Sequence, residues 1–572
     1  MKARYLLALF AFVGAQSLDA QNLGELGVKK GVKVNGSINI NSIGYYAHGL
    51  DQRRDPFNWF LTGTLNLNLF GYDAPFSFSY SNANRNFAQP FNQFSFQPQY
   101  KWVKTYIGYN SMTFSNYTLA GHVFLGGGVE LTPGKWRVSA MAGRLRKAVP
   151  FDLNDSLQIY NASYKRMGYG LKVAYENDGD LISANIFTAR DERESIPFVL
   201  PESNLTPMQN VALSVNVRKK FLKRFFVEAE YAVSAMNKDI RANDTESDTV
   251  ALKPTHNLVK GLLPENSTSR YYDAVNASLG YQGNWYGIAI RYERIAPEYQ
   301  TLGAYFFNND MRNITIAPSV RLFKNTLNLN ANVGIQQNNL DEARASTTAR
   351  TVGSLAANYL PNERWNFVAT YSNFTAYTNV RPQQDPFFRD AMDTLNFYQV
   401  SQTLTATVMR NFGTQEKPQS IMLNTSFQTA QDKASYDGGS QQSDFLTANL
   451  SYSYSMVPKS TTLAVAGNVY ESHAGDVKTT YWGPTLSITK AFYEKTLRAS
   501  IASSYNETSG TLRASPVLSN RVGLNYTPKP GQGSNQSHNF ALGINVLNRL
   551  KSVGSQPSFM EITGTFNYSY SF

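Results

Sequence analysis

The sequence contains no cysteine, which removes disulfide frameworks, thiolate metal sites and any lipid-modified cysteine anchor. It also lacks any run of about 18 or more unbroken apolar residues, so a bundle of membrane-spanning helices is excluded. Charged residues make up only 16% of the 572, and histidine occurs five times, as His48, His122, His256, His473 and His538. No HExxH pair, phosphate-binding glycine loop or cluster of metal ligands appears, so the sequence points to no cofactor and no metal. The formal charge is +12, but the basic residues are scattered rather than gathered into a patch, and nucleic acid is excluded as a partner.

What is present is an uncommon pairing. The chain carries 35 Tyr and 35 Phe, yet its mean hydropathy is −0.35. Strict alternation of apolar and small polar residues reconciles the two, because a strand can show one set to lipid and the other to water. Alternation is most regular at the C-terminus. Met560, Ile562, Gly564, Phe566, Tyr568, Tyr570 and Phe572 interleave with Glu561, Thr563, Thr565, Asn567, Ser569 and Ser571. The same period runs through Val32 to Ile40, Leu61 to Leu69, Phe76 to Tyr80, Val211 to Val217 and Leu497 to Tyr505. The triplet Gly126 to Gly128 falls within such a stretch, where glycine permits bending or close strand approach.

Connections between these stretches alternate in length. Tight ones occur at Phe70 to Asp73, Thr132 to Gly134, Asn177 to Asp180, Gln282 to Asn284, Phe323 to Asn325, Leu360 to Arg364, Val457 to Ser460 and Phe492 to Lys495. Long ones include Ala47 to Phe57, Arg190 to Pro207, Asn237 to Arg270, Ala296 to Asp310, Thr375 to Asn396 and Gln431 to Ser443. The expected fold is an all-β, antiparallel up-and-down transmembrane barrel of about 26 strands (about 24 to 26), with short periplasmic turns and long outer loops. Ahead of it, Lys2 and Arg4, the apolar stretch Tyr5 to Val13 and Ala20 have the form of a secretory signal peptide. The predicted organisation is therefore a signal peptide over 1–20, cleaved before Gln21, a short periplasmic segment over 21–31 and a barrel over 32–572.

The alternation directs Arg137, Lys172, Arg218, Arg291, Arg321, Arg350, Arg498 and Arg521 into the lumen, together with Glu130, Glu176, Glu228, Glu230, Glu293 and Glu561. Such a wall either biases the passage of charged solutes or forms solvated ion pairs. Basic residues gather in the tight turns and acids in the long loops, where divalent ions bridging lipopolysaccharide are one use for them. A hydrolytic barrel would need a base beside a nucleophile. His122 and His538 fall on or beside strands with Ser or Asn nearby, but nothing fixes a pairing. The longest connection, Asn237 to Arg270, contains Leu252, Leu258, Val259, Leu262 and Leu263 with Pro254 and Pro264. Those aliphatics predict that it folds into or across the barrel mouth.

Ala20-Gln21, the Tyr-, Asn- and Ser-rich strands and the terminal Phe572 together resemble large barrels of the Bacteroidota outer membrane. Asp155-Ser156-Leu157, Asp248-Thr249-Val250 and Asp393-Thr394-Leu395 also resemble the short O-glycosylation motif of that phylum. The resemblance implies a porin- or transporter-like barrel. Because only Gln21 to Gly31 precede the first strand, it implies one without the plug domain of TonB-dependent receptors. It further implies that Phe566, Tyr568, Tyr570 and Phe572 form the signal read by the outer-membrane assembly machinery, with outer-membrane lipid and lipopolysaccharide as surroundings. A channel for an unidentified solute leads the functional readings. A structural, assembly or export barrel gated by a plugging lipoprotein comes second, and a surface hydrolase third.

Overall fold

The computed structural model describes residues 33–572 except 70–71, 83–91, 152–161, 201–202, 244–257, 260, 306–307, 343–348, 374–398, 433–440, 476, 512–513, 531–535 and 551–557. The signal-peptide segment, His256 and the three Asp-Ser/Thr-aliphatic motifs lie outside the described residues.

Alternation dictates strands, and strands must pair. Among the described residues twenty-seven of them run from β1 (Lys33–His48) to β27 (Phe559–Ser571), and chain neighbours pair antiparallel with one exception. β4 (Gln93–Phe96) and β5 (Gln99–Tyr100) both lie between β3 (Tyr72–Ser81) and β6 (Val103–Thr113), and they are two pieces of one interrupted strand. The wall therefore has 26 positions. It closes on itself where β1 pairs with β27, from Ser37↔Ser571 to His48↔Met560. Phe572 and Gly36 then exchange both backbone hydrogen bonds, at 2.9 and 3.0 Å. Closure leaves no unpaired edge, which is the condition for a sheet in lipid.

The tight connections predicted from sequence lie at the end of the barrel that holds both β1's start and β27's finish. Two of them share one construction. Phe323, Lys324 and Asn325 all have positive φ, as do Tyr493, Glu494 and Lys495. In each, the following threonine hydroxyl donates back to the first carbonyl, Thr326 to Phe323 at 3.0 Å and Thr496 to Tyr493 at 2.8 Å. The opposite end carries most of the long loops, but β22 (Thr461–Ala474) and β23 (Val477–Phe492) are joined there by two residues only.

One strand parity is apolar around the whole circumference. Ile182, Val215, Ile290, Ile314, Ile335, Leu450, Leu486 and Ile501 all stand exposed on it, a continuous surface far larger than a water-soluble monomer shows. Lipid is its natural solvent. Aromatic pairs ring this surface at the short-turn end, including Trp136–Tyr175, Phe225–Tyr281, Trp365–Phe367 and Tyr526–Phe540, the position of an interfacial belt. His538 belongs to it, its Nδ1 3.0 Å from the Tyr568 hydroxyl. Of the glycine triplet, Gly126 permits close strand approach: a Cβ there would meet the Ala142 carbonyl at 2.1 Å.

The connection between β12 (Phe225–Asn237) and β13 (Ser269–Gln282) departs from expectation. Its described aliphatics do not enter the mouth. Val259 and Leu263 are buried against Val211, Val233, Ala235 and Tyr271. The register gives all four the same parity as exposed Val215 and Tyr231, so this segment folds down over the outside of the wall. Outward valine and alanine at the strand ends supply the apolar surface that the loop covers.

Candidate functional site

The lumen is built from the other parity, and its two halves differ. On β6 to β14 the inward residues are small-polar only in part. Tyr106, Phe124, Met141, Leu145, Phe187, Ala232, Met236, Tyr272, Ala274 and Ile295 also point inward, and all are buried. What buries them is two loops from the long-loop end. One is Phe114 to Leu119, after β6; the other runs from Ala296 to Gly303, after β14 (Tyr286–Ile295).

Those loops are tied to each other and to the wall. The Tyr299 hydroxyl donates to the Tyr117 carbonyl at 2.7 Å, and the Thr301 hydroxyl donates to the Thr118 carbonyl at 3.0 Å. Asn210, fully buried, donates to Ser234 at 2.8 Å while its Oδ1 accepts from Thr301 and from the Leu302 amide, both at 3.1 Å. The Tyr117 hydroxyl donates to Glu293 at 2.9 Å. Burial pushes the Tyr117 and Tyr299 phenols well above their usual range, so both remain donors. Glycines make room: a Cβ at Gly170 would stand 2.6 Å from the Phe114 ring, and one at Gly303 2.5 Å from the Thr118 carbonyl.

From β16 (Leu327–Gln337) round to β27 the inward face is instead a lattice of Asn, Ser and Thr. Ser420–Ser453 at 2.8 Å, Asn424–Thr407 at 2.9 Å, Ser519–Asn545 at 3.1 Å and Asn525–Asn539 at 3.0 Å are typical cross-strand bonds. Among the described residues no loop covers the middle of this face. Inward Val368 is 36% and inward Tyr481 44% exposed, whereas Phe124 and Phe187 across the lumen are 0%. A depression of about 580 Å³, lined by Arg291, Asn330, Asn332 and Thr370 among others, lies where the two halves meet.

The register gives every lumen candidate the inward parity, but their partners divide them. Arg137 pairs with Glu176 at 2.8 Å, and Arg218 reaches the same carboxylate at 3.5 Å. Lys172 donates to the Phe114 carbonyl at 2.7 Å, which makes it part of the loop anchorage. Glu130 accepts from Tyr106 at 2.9 Å, and Glu293 accepts from Asn313 at 3.1 Å as well as from Tyr117. Glu561 accepts from Tyr45. Glu230 has a buried oxygen without a hydrogen-bond partner. Among the described residues Arg291, Arg321, Arg498, Arg521 and Glu228 form no ion pair. Arg350 pairs in the wall with Gln336, and its side chain is outside the described residues.

Sequence reasoning missed the inward loops. Their signal is apolar residues on both parities of one strand, as in Ala232, Val233, Ala235 and Met236, where a solvated lumen would leave one parity polar.

The described histidines assemble no hydrolytic group. His122 Nδ1 lies 2.8 Å from the Val123 carbonyl and its ring stacks on Tyr305, while His538 is outside in the aromatic belt. Among the described residues no three His, Asp or Glu side chains are placed to share a metal ion.

At the rim, Lys238 binds Glu298 at 2.7 Å and ties the β12–β13 loop to the loop between β14 and β15 (Met311–Leu322). That hydrogen bond holds the Glu298 carboxyl below its ordinary value. A depressed acid stabilises above its unfolded pKa and loses that contribution as pH falls through the folded one. Both side chains are well exposed, so the tie is worth no more than about 1 kcal/mol. Hydrogen exchange of the 296–305 amides is expected to be flat from neutral pH down to the ordinary carboxylate range. Once the pH passes below that range it should quicken severalfold, and Glu298→Gln should abolish this step.

No protein-family model and no curated protein matches the sequence. Solved structures align over much of it. The P pilus usher (PapC) translocation pore is 11% identical over 94% of this chain and 99% of that chain, with a TM-score of 0.38. The FrpB iron transporter from Neisseria meningitidis is 11% identical over 95% of this chain and 84% of that one, with a TM-score of 0.36. OccAB2 of Acinetobacter baumannii is 12% identical over 69% of this chain and 97% of that one, with a TM-score of 0.26. The barrel itself rests on the strand pairing.

Proposed function

We propose that this chain is an outer-membrane channel for a polar solute, exported by its N-terminal segment. In this reading the solute passes along the Asn/Ser/Thr half of the lumen while the inward loops narrow the other half. One observation carries it. Among the described residues, inward side chains on β16 to β26 are mostly half-buried or exposed, whereas those on the long-loop half of β7 (Ala120–Leu131) to β12 are mostly buried, so that half of the lumen is filled and the other is not. Passage, not turnover, is the chemistry that such a surface offers: many weak, exchangeable hydrogen-bonding groups and no nucleophile set beside a base. The surroundings are outer-membrane lipid and lipopolysaccharide on the apolar face.

Single-channel recording of the full chain in planar bilayers tests the proposal. Discrete conductance steps are expected. A silent barrel that co-purifies with a lipoprotein would replace this reading with a gated export or assembly barrel.

Phe566, Tyr568, Tyr570 and Phe572 belong to the outward belt of the closing strand, and we propose that they also serve as the assembly signal. Phe572 contributes two backbone hydrogen bonds to the seam, each worth about 1 kcal/mol. Deleting Phe572 should therefore lower the amount of assembled, heat-modifiable barrel at the surface several-fold while barely shifting the unfolding midpoint of what does assemble. Unchanged surface levels would show that the terminal residue is dispensable.

A further inference from the structure

Three arginines on adjacent strands form a descending series on the open half of the lumen. Arg549 ends β26 (Ser537–Arg549) on the long-loop side. It lies opposite Val517 of β25 (Ala514–Tyr526), four residues from Arg521. Arg498 of β24 (Leu497–Gly510) lies opposite Asn525, four residues beyond Arg521 in the other direction. At roughly 3.3 Å per residue the rungs are about 13 Å apart along the strands. All three have inward parity, since Ile501, Val522 and Ile544 show the opposite one to lipid. The wall between them is Val517, Ser519, Ala502, Gly523, Asn545 and Leu547, none of which carries a charge.

Among the described residues none of the three forms an ion pair, and the one acid near them is Glu561 of β27, two residues from the Phe559 that faces Arg549. Arg521 and Arg498 are exposed to the lumen and have no hydrogen-bond partner among the described residues. Arg549 stacks over the Phe559 ring at 4.6 Å with its Nε buried and unpartnered, and Arg53 lies over the same ring at 5.7 Å. From β15 to β26 no acidic residue of inward parity occurs among the described side chains. β25 and β12 are 13 positions apart in a wall of 26, so Glu228 and Glu230 of β12 stand diametrically across from the ladder. Most other inward acids, namely Glu130, Glu176, Glu293 and Glu561, are already engaged.

We infer that the pore takes an anionic solute, its carboxylate, phosphate or sulfate group handed from Arg549 to Arg521 to Arg498 while Glu228 holds it to that side. This rests on the channel reading above and names the class of solute. Guanidinium matches all three anions bidentately. Rungs of equal kind let an ion leave one as readily as it binds the next, as conduction requires. Among the described side chains, the charges of inward parity from β15 to β26 are Arg321, Arg498, Arg521 and Arg549 with no acid beside them, which sets the sign of that half.

Two measurements on the full chain decide it. In planar bilayers under a potassium chloride gradient, the wild type should be anion-selective. The double variant Arg498→Gln, Arg521→Gln should lower the chloride-to-potassium permeability ratio by about threefold or more, and Arg498→Lys, Arg521→Lys should keep it. Cation selectivity, or a ratio indifferent to the glutamines, overturns the inference while leaving the channel standing. Absence of current refutes the channel instead. Binding of the trianion pyranine to the detergent-solubilised barrel, followed by anisotropy, then still tests the ladder. The glutamine pair should weaken it about fivefold or more, and unchanged binding overturns the ladder independently of conduction.

Discussion

Excising residues 297–309 and bridging the gap with Gly and Ser is expected to raise single-channel conductance at least about twofold and to admit larger antibiotics to the cell. The argument is one of area and anchorage. The loop's Tyr299 and Leu302 are buried among inward aromatics of β6 to β13, and its Tyr299 and Thr301 hydroxyls satisfy the carbonyls of Tyr117 and Thr118. Removing it takes away the cover of the Phe114 to Leu119 loop as well, so both retract from the lumen together. The single variant Tyr299→Ala should act in the same direction. A buried aromatic lost to alanine costs about 3–5 kcal/mol, enough to shift a docked loop to a largely undocked one, and here the Tyr117 carbonyl also loses its donor. Gly170→Leu approaches the same end from the wall, wedging a side chain where the Phe114 ring now lies 2.6 Å from an ideal Cβ. The control is deletion of 248–264. Because Val259 and Leu263 pack outside the wall, that deletion should leave conductance unchanged. A rise on deleting 248–264, with none on deleting 297–309, would reverse the assignment of which loop narrows the pore.

The two loops also show what the sequence makes legible. Wherever lipid and water impose opposite demands on neighbouring residues, as in Ile38 to Ile40 or Phe566 to Phe572, period-2 alternation states both the strand and its facing. Fold class, strand number and the inward parity of Arg137 through Arg521 follow from it. Alternation says nothing about which inward side chains meet water. Arg498 and Lys172 read identically along the chain, yet one is exposed in the lumen and the other donates to the Phe114 carbonyl at 2.7 Å. That difference is made by Phe114 and Tyr299, which reach the same half of the lumen from connections far apart in sequence. Likewise, leucines in the 237–270 connection signal that some apolar surface must receive them, but both faces of the wall offer one. Val211, Val233 and Ala235 decide for the outside only once the register gives them a common parity. The arginine ladder is hidden for the same reason, since Arg498, Arg521 and Arg549 become a series only through the pairing of β24 with β25 and β25 with β26.

Asp191→Ala is expected to destabilise the barrel by about 3–5 kcal/mol, the range found when one partner of a buried ion pair is removed. Asp191 is the central acceptor at the long-loop end of β10 (Asp180–Asp191). Arg166 donates to both its oxygens, at 2.7 and 2.9 Å, and the Met208 amide donates to Oδ2 at 2.9 Å. The side chains of Arg166 and Asp191 are only 9% and 2% exposed, so little water can replace the carboxylate. The register adds a second cost. Arg166 faces Asp191 on one side and Arg146 on the other, and Arg146 forms no ion pair among the described residues. Removing the one carboxylate leaves two guanidiniums opposed across β8 (Trp136–Arg146) and β9 (Arg166–Asn177), an arrangement that is itself unfavourable between strands. Two companions separate the contributions. Asp191→Asn keeps an acceptor and should lose less than Asp191→Ala, while adding Arg146→Met to Asp191→Ala should recover part of the loss by removing the like charge. The midpoint of urea unfolding in lipid vesicles, read by heat-modifiable migration, ranks the four proteins. A midpoint for Asp191→Ala equal to that of the wild type would mean that the rim of β8 to β10 is not held by this pair.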